Sequence, residues 1–275
     1  MDRPRFGMLL WLWLAFAALP SLVHAQAPIV AAAQMDNVSA VNMAGRQRML
    51  SQRMTKAYLM TGQGIATDDA QAILQGSIIQ FETQLAALKA FQPTPLTRSA
   101  VANLETAWAK CKPVLTATPS LAGAADLYDL NEELQKAAHR ATLAYQDVNG
   151  AALDHLVNLA GRQRMLSQRM AKFYFYRSWG LSSEASDMEL HLSRAHFTAV
   201  LIQIERSSRA SAQTKLALAQ LQREWEPYQQ ALFASKDPAK MRTNAPRIAE
   251  LSERVLKGTE NLMTLILAPD LAAPR

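Results

Sequence analysis

Asn42-Met-Ala-Gly-Arg-Gln-Arg-Met-Leu-Ser-Gln-Arg-Met-Thr-Lys56 decides how the chain is built, because it is written twice. It returns as Asn158-Leu-Ala-Gly-Arg-Gln-Arg-Met-Leu-Ser-Gln-Arg-Met-Ala-Lys172, 116 positions further on, and Ala44 to Met54 match Ala160 to Met170 letter for letter. Cores accept many apolar sets of similar volume. Identity over such a span reports a constraint beyond filling space, and the chain reads as one plan used twice.

Neither copy holds proline, each holds one glycine, and Met, Leu, Gln, Arg and Lys are good helix formers, so both copies read as helix. At about 100° per residue each helix carries two seams. Met43, Gln47, Leu50, Met54 and Ala57 share one face, and Val41, Gly45, Arg48, Gln52, Thr55 and Leu59 the opposite one. In the second copy the faces are Leu159, Gln163, Leu166, Met170, Phe173 and Val157, Gly161, Arg164, Gln168, Ala171, Phe175. A surface helix of a bundle needs one apolar stripe, which the Met/Leu face supplies. The other face is narrow, lined by small residues, and centred on an arginine. It is expected to pack against another helix of its own kind.

An arginine inside a packed seam is costly unless its charge is met. Its planar fork of donors suits a planar oxyanion such as carboxylate or nitrate. Two readings stay open for Arg48 and Arg164: they await a small anion, or each pairs with an acidic side chain of a neighbouring helix. On the first reading the ligand-binding set is Arg48, Arg164, Gly45, Gly161, Ser51, Ser167, Gln52 and Gln168. Secondary candidates are Arg46, Arg162, Arg53, Arg169, Asn42 and Asn158. The flanking arginines are expected to be solvated or salt-bridged, and the two serines to serve as small packing residues.

The motif resembles the N-terminal sensory domain of type IV pili methyl-accepting chemotaxis transducers, the PilJ-type domain. It is also similar to the P-box of nitrate/nitrite sensor histidine kinases, which runs roughly Asn-Leu-Ala-Gly-Ser-Leu-Arg-Met-Gln-Ser-Tyr-Arg-Leu. The resemblance implies a four-helix bundle and an arginine that grips nitrate at a dimer interface. By position that arginine is Arg48 in one copy and Arg164 in the other. Arg46-Gln47 and Arg162-Gln163 stand where the kinases have Ser-Leu, and Leu50 and Leu166 where they have Gln. Those departures fit the pilus-transducer version better and weaken the case for nitrate itself.

The rest of the chain is expected to be all-α: two tandem four-helix bundles, at 27–148 and 149–268, sharing one long connecting helix from about 121 to 179. Apolar content of 49% with 19% charged residues argues against disorder, and ten Gly and twelve Pro in 275 residues suit helices. In the first bundle helices are expected from about Gln34 to Thr61, from Thr67-Asp68-Asp69 to about Phe91, from after Pro95 to near Pro119, and from near Ser120. Phe197 and Trp225 echo Phe81 and Trp108, and Leu251-Ser-Glu echoes Leu130-Asn-Glu in the fourth helices. Tyr145, Val148, Ala152, Leu156 and Leu159 keep helical phase across Gly150, where an interior glycine costs only about 1 kcal/mol. A break at Asn149-Gly150 would instead lay the two repeated helices side by side. With the continuous helix, Arg48 and Arg164 sit in separate sites, each completed by a second protomer.

Residues 1–25 read as a cleaved signal peptide, with Arg3 and Arg5 before an apolar run and Val23-His24-Ala25 before the cut; an uncleaved anchor is the alternative. Its removal takes away Asp2, Arg3 and Arg5 and lowers the formal net charge from +6 to +5. Residues 269–275 read as a frayed tail. The lone Cys111 forms no internal disulfide and reads as a small buried residue. The histidines show no metal spacing, Glu132-Glu133 reads as a solvated pair, and the aromatics crowding the end of each repeated helix read as core. No cofactor, metal site, catalytic set or concentrated basic stripe for nucleic acid is expected.

The functional expectation is a non-enzymatic, exported (periplasmic) sensory module. It binds a small anion (nitrate, nitrite or a carboxylate) and signals through a membrane receptor or transducer, with a homodimer possible. The alternative is a helical adaptor docking on a type IV pilus or chemotaxis-type transducer without a ligand.

Overall fold

The computed structural model describes residues 35–207 and 211–268; the signal-peptide and tail readings lie outside them. The described residues form eight helices and no strand: α1 Asn37–Gly62, α2 Thr67–Ala90, α3 Pro95–Thr116, α4 Leu121–Asn149, α5 Ala152–Ser178, α6 Glu184–Glu205, α7 Ala212–Leu232 and α8 Pro238–Leu267. The starts follow capping chemistry. Asp36, Ser120 and Asp237 each accept backbone N–H groups of the first turn of α1, α4 and α8. Thr94 with Thr97 and Ser183 with Ser186 close reciprocal caps on α3 and α6.

Helices α1–α4 form one bundle and α5–α8 the other, as the duplication implied. The copies match in detail. The Phe81 and Trp108 rings lie 4.4 Å apart at 31°, and those of Phe197 and Trp225 4.3 Å apart at 31°. Gln47, on the Met/Leu face, donates to the Phe81 carbonyl of α2; Gln163 donates likewise to Phe197 of α6.

The expected connecting helix is broken. Gly150 sits at φ 59°, ψ 20°, its N–H closing on the Gln146 carbonyl, and α5 starts afresh at Ala152. A left-handed residue reverses the chain at low cost only when it is glycine. The apolar phase that runs across residue 150 is therefore used twice over, once on each side of a turn. The two repeated helices end up packed together, α1 against α5, in the most extensive helix–helix contact of the described residues. One continuous core fills both bundles and this junction.

Candidate functional site

Both arginines singled out by the helical wheel lie at the α1/α5 junction with 0% exposure. Glycine makes the close approach possible. A Cβ built on Gly45 would stand 3.2 Å from Arg48 Nη2 and 3.8 Å from Arg164 Nη2; one on Gly161 would meet the same two atoms at 3.4 and 3.3 Å. Each guanidinium donates through Nη2 to the opposite helix: Arg48 to the Asn158 carbonyl at 3.2 Å, and Arg164 to the Asn42 carbonyl and Oδ1 at 3.3 and 2.7 Å. The completing groups thus come from the other half of the same chain, not from a second protomer.

Beyond this shared frame the arginines differ. Arg164 Nη1 lies 3.3 Å from a Glu260 carboxylate oxygen that also holds Arg46 at 2.7 Å. Pairing with an acid is thus the outcome for Arg164. Arg48 has no carboxylate among the described residues. Its Nη1 lies 3.3 Å from His139 Nδ1, so with an arginine donating, that nitrogen is the acceptor and the proton sits on Nε2. Burial, then the charges of Arg162 and Arg164, pull the Arg48 guanidinium down to about 9, which leaves it charged at neutral pH. Burial, then Arg48 and Arg162, push His139 down to about 4, so the imidazole is neutral there.

Arg48 forms the floor of a cleft of about 290 Å³ between α4, α5 and α6, whose walls include His139, Arg162, Met165, Leu166 and Leu192. Arg162 makes no ion pair among the described residues. Arg169, on the same wall, is already neutralised by Glu132 at 2.8 Å and Glu189 at 2.9 Å. The cleft therefore holds the unpaired guanidinium charges of Arg48 and Arg162 and the neutral imidazole of His139, with His196 and the Arg169-paired Glu189 also in its lining.

The remaining candidates are brought near the junction but are spoken for. Ser51 and Ser167 donate to the carbonyls of Arg48 and Arg164 in their own helices. Gln52 donates to Asn131 Oδ1, and Gln168 to the Ser252 carbonyl. Asn158 donates its amide to Gln146. Arg53 pairs with Glu253 at 2.5 Å. The serine hydroxyls are thus used inside α1 and α5, while the two glutamines tie α1 to α4 and α5 to α8.

Several residues that matter gave little signal in the sequence. His139 is one of the histidines without metal spacing and Glu132 belongs to a pair expected to be solvated, yet His139 faces Arg48 and Glu132 holds both Arg169 and Lys172, the latter at 2.7 Å. Glu253 does the same for Arg53 and Lys56. The echo of Leu130-Asn-Glu in Leu251-Ser-Glu was the available clue to these paired carboxylates. The histidine has no such echo, because its counterpart is a glutamate. Cys111 is fully buried, its thiol pushed up to about 12 by burial. Tyr58, Tyr174 and Tyr176 are buried core, with hydroxyls on Ser120, Met241 and Ala124.

Among the described residues no helix is long and apolar enough to cross a membrane. A comparison with curated proteins finds no match, and neither does one with solved structures. A family model does match, twice: that of the type IV pili methyl-accepting chemotaxis transducer N-terminal domain, over residues 30–138 and 152–248. The two matches fall on the two halves that the duplicated helix marked out. The chain belongs to the PilJ family, the N-terminal domain of type IV pili methyl-accepting chemotaxis transducers, and carries that domain in tandem.

Proposed function

We propose that the chain is an exported sensory module that binds one small anion in the α4/α5/α6 cleft, on Arg48 and Arg162, and passes the event to a membrane partner. The observation that carries this reading is the unpaired Arg48 guanidinium, fully buried on the floor of a cleft. A buried cation left without a counter-charge is costly, and a planar fork of donors matches a planar oxyanion.

The same geometry supplies a signal. Arg48 is repelled by Arg162 and Arg164 across the α1/α5 junction. An anion between Arg48 and Arg162 cancels part of that repulsion and draws α1, α4 and α5 together. Differential stability of two packings is what a ligand needs to shift a population.

Calorimetry with nitrate, nitrite and acetate on the wild-type chain, Arg48→Ala and Arg162→Ala tests the reading. Binding to wild type that falls by tenfold or more in both variants, about 1.4 kcal/mol or more, is the expected result. Undiminished binding to Arg48→Ala, or no binding of any anion to wild type, would contradict it.

A further inference from the structure

The two halves of the arginine site differ in the side chain that meets Nη1 of the buried arginine. Glu260 follows Glu253 by seven residues along α8, and His139 follows Glu132 by seven along α4. Glu253 and Glu132 are themselves equivalents, since each holds the arginine and lysine of the opposite repeated helix. Glu260 and His139 therefore stand at matching places, two helical turns on. Each also meets Nη1 of its buried arginine at 3.3 Å. In the second half a single carboxylate oxygen bridges Arg46 and Arg164. In the first half the corresponding arginines are Arg162 and Arg48, and the side chain between them brings no negative charge.

We infer that Glu260 is a built-in stand-in for the ligand, so that the first half takes from solution, as a small aliphatic carboxylate, the group that the second half carries in its own sequence. This rests on the anion-binding reading above and deepens it in two ways. It fixes the stoichiometry at one ligand per chain, because the second half is already occupied. It also names the chemical class. The stand-in is a carboxylate on an aliphatic stem, and the cleft around Arg48 offers Met165, Leu166 and a partly exposed Leu192 for such a stem to lie against. Nitrate presents the same planar oxygens but has nothing to bury on that wall. His139 is then the residue that keeps the first half open.

The test uses propionate, acetate, nitrate and sulfate with four chains: wild type, His139→Glu, His139→Gln and Glu260→Ala. Wild type should bind propionate once, about tenfold more tightly than nitrate, from the two carbons buried beside Met165 and Leu192. His139→Glu supplies the carboxylate internally. It should lose propionate binding and melt about 2–4 °C above His139→Gln, the shift that about 1 kcal/mol gives in a domain of this size. Glu260→Ala removes the stand-in and leaves room beside Arg164. Its lowered melting temperature should be restored by acetate, with a second binding event in calorimetry.

Nitrate or sulfate binding wild type as tightly as propionate would overturn the ligand class. Unchanged propionate binding in His139→Glu, or no acetate response in a folded Glu260→Ala, would overturn the stand-in. A wild-type chain that binds no anion overturns the functional reading and the ligand class together. The melting temperatures of His139→Glu and Glu260→Ala still judge the stand-in in that case.

Discussion

Lys56 and Lys172 are ammonium groups with no access to water, and each is held by one carboxylate that reaches it from a fourth helix of the opposite bundle. Burial would raise the Glu132 and Glu253 carboxyls. The charges of Lys172 with Arg169, and of Lys56 with Arg53, overcome it and hold both at about 2. Removing a partner leaves a stranded buried charge, which in fully buried pairs costs about 3–5 kcal/mol. Glu132 and Glu253 keep 19% and 29% of their side-chain surface in water, so Glu132→Gln or Glu253→Gln should cost less, about 2–4 kcal/mol in urea unfolding. A loss under 1 kcal/mol would show that water already screens the pair.

The pH dependence follows from the same groups. A carboxyl depressed from 4.5 to about 2 adds stability above pH 4.5, and that stability is lost as pH falls towards 2. His139, depressed from 6.5 to about 4 with Arg48 and Arg162 facing it, refuses a proton that the unfolded chain accepts. It therefore erodes stability as pH falls from 6.5 to 4. Unfolding measured from pH 7 to 2.5 should show both slopes. His139→Gln should flatten the upper one only, and Glu132→Gln should weaken the lower one.

At the level of elements, the decisive feature is the break at Gly150, and a single substitution reads it by sign. Nothing stands within 4 Å of a Cβ built there, so Gly150→Ala meets only the cost of φ 59°. That conformation should destabilise the chain by about 1 kcal/mol, whereas alanine in a continuous helix would stabilise it by a similar amount. A gain in stability would restore the long connecting helix. The other ends of α1 and α5 meet at Gly62, where a Cβ would come within 2.1 Å of the Trp179 ring. Gly62→Ala must push the indole aside. A loss of about 1–3 kcal/mol is expected, the usual range for overpacking.

The elements were legible in the sequence for clear physical reasons. Pro95 and the cap at Ser120 act within a few residues of themselves, so the starts of α3 and α4 survive as signals without tertiary context. The arginine seam was legible because helical phase places Gly45, Arg48 and Gln52 on one face whatever that face meets. The bundle arrangement was not, since helical phase continues unchanged from Tyr145 to Leu159 and does not record the turn between. His139 was not legible either: its role depends on Arg48, 91 positions away, and no local pattern marks such a pair.

Across the whole molecule, duplication within one chain has produced a junction whose halves can diverge, because each half is a separate stretch of sequence. Two identical protomers would have to carry His or Glu at both equivalent places; this chain carries one of each. Its centre is thus asymmetric in charge, with Arg164 neutralised by Glu260 and Arg48 left beside a neutral imidazole. A crystal structure of the chain with a small planar anion, propionate or nitrate, tests this most directly. One anion is expected between Arg48 and Arg162 in the α4/α5/α6 cleft, and none at Arg164. An anion at both arginines, at Arg164 alone, or at neither would contradict it.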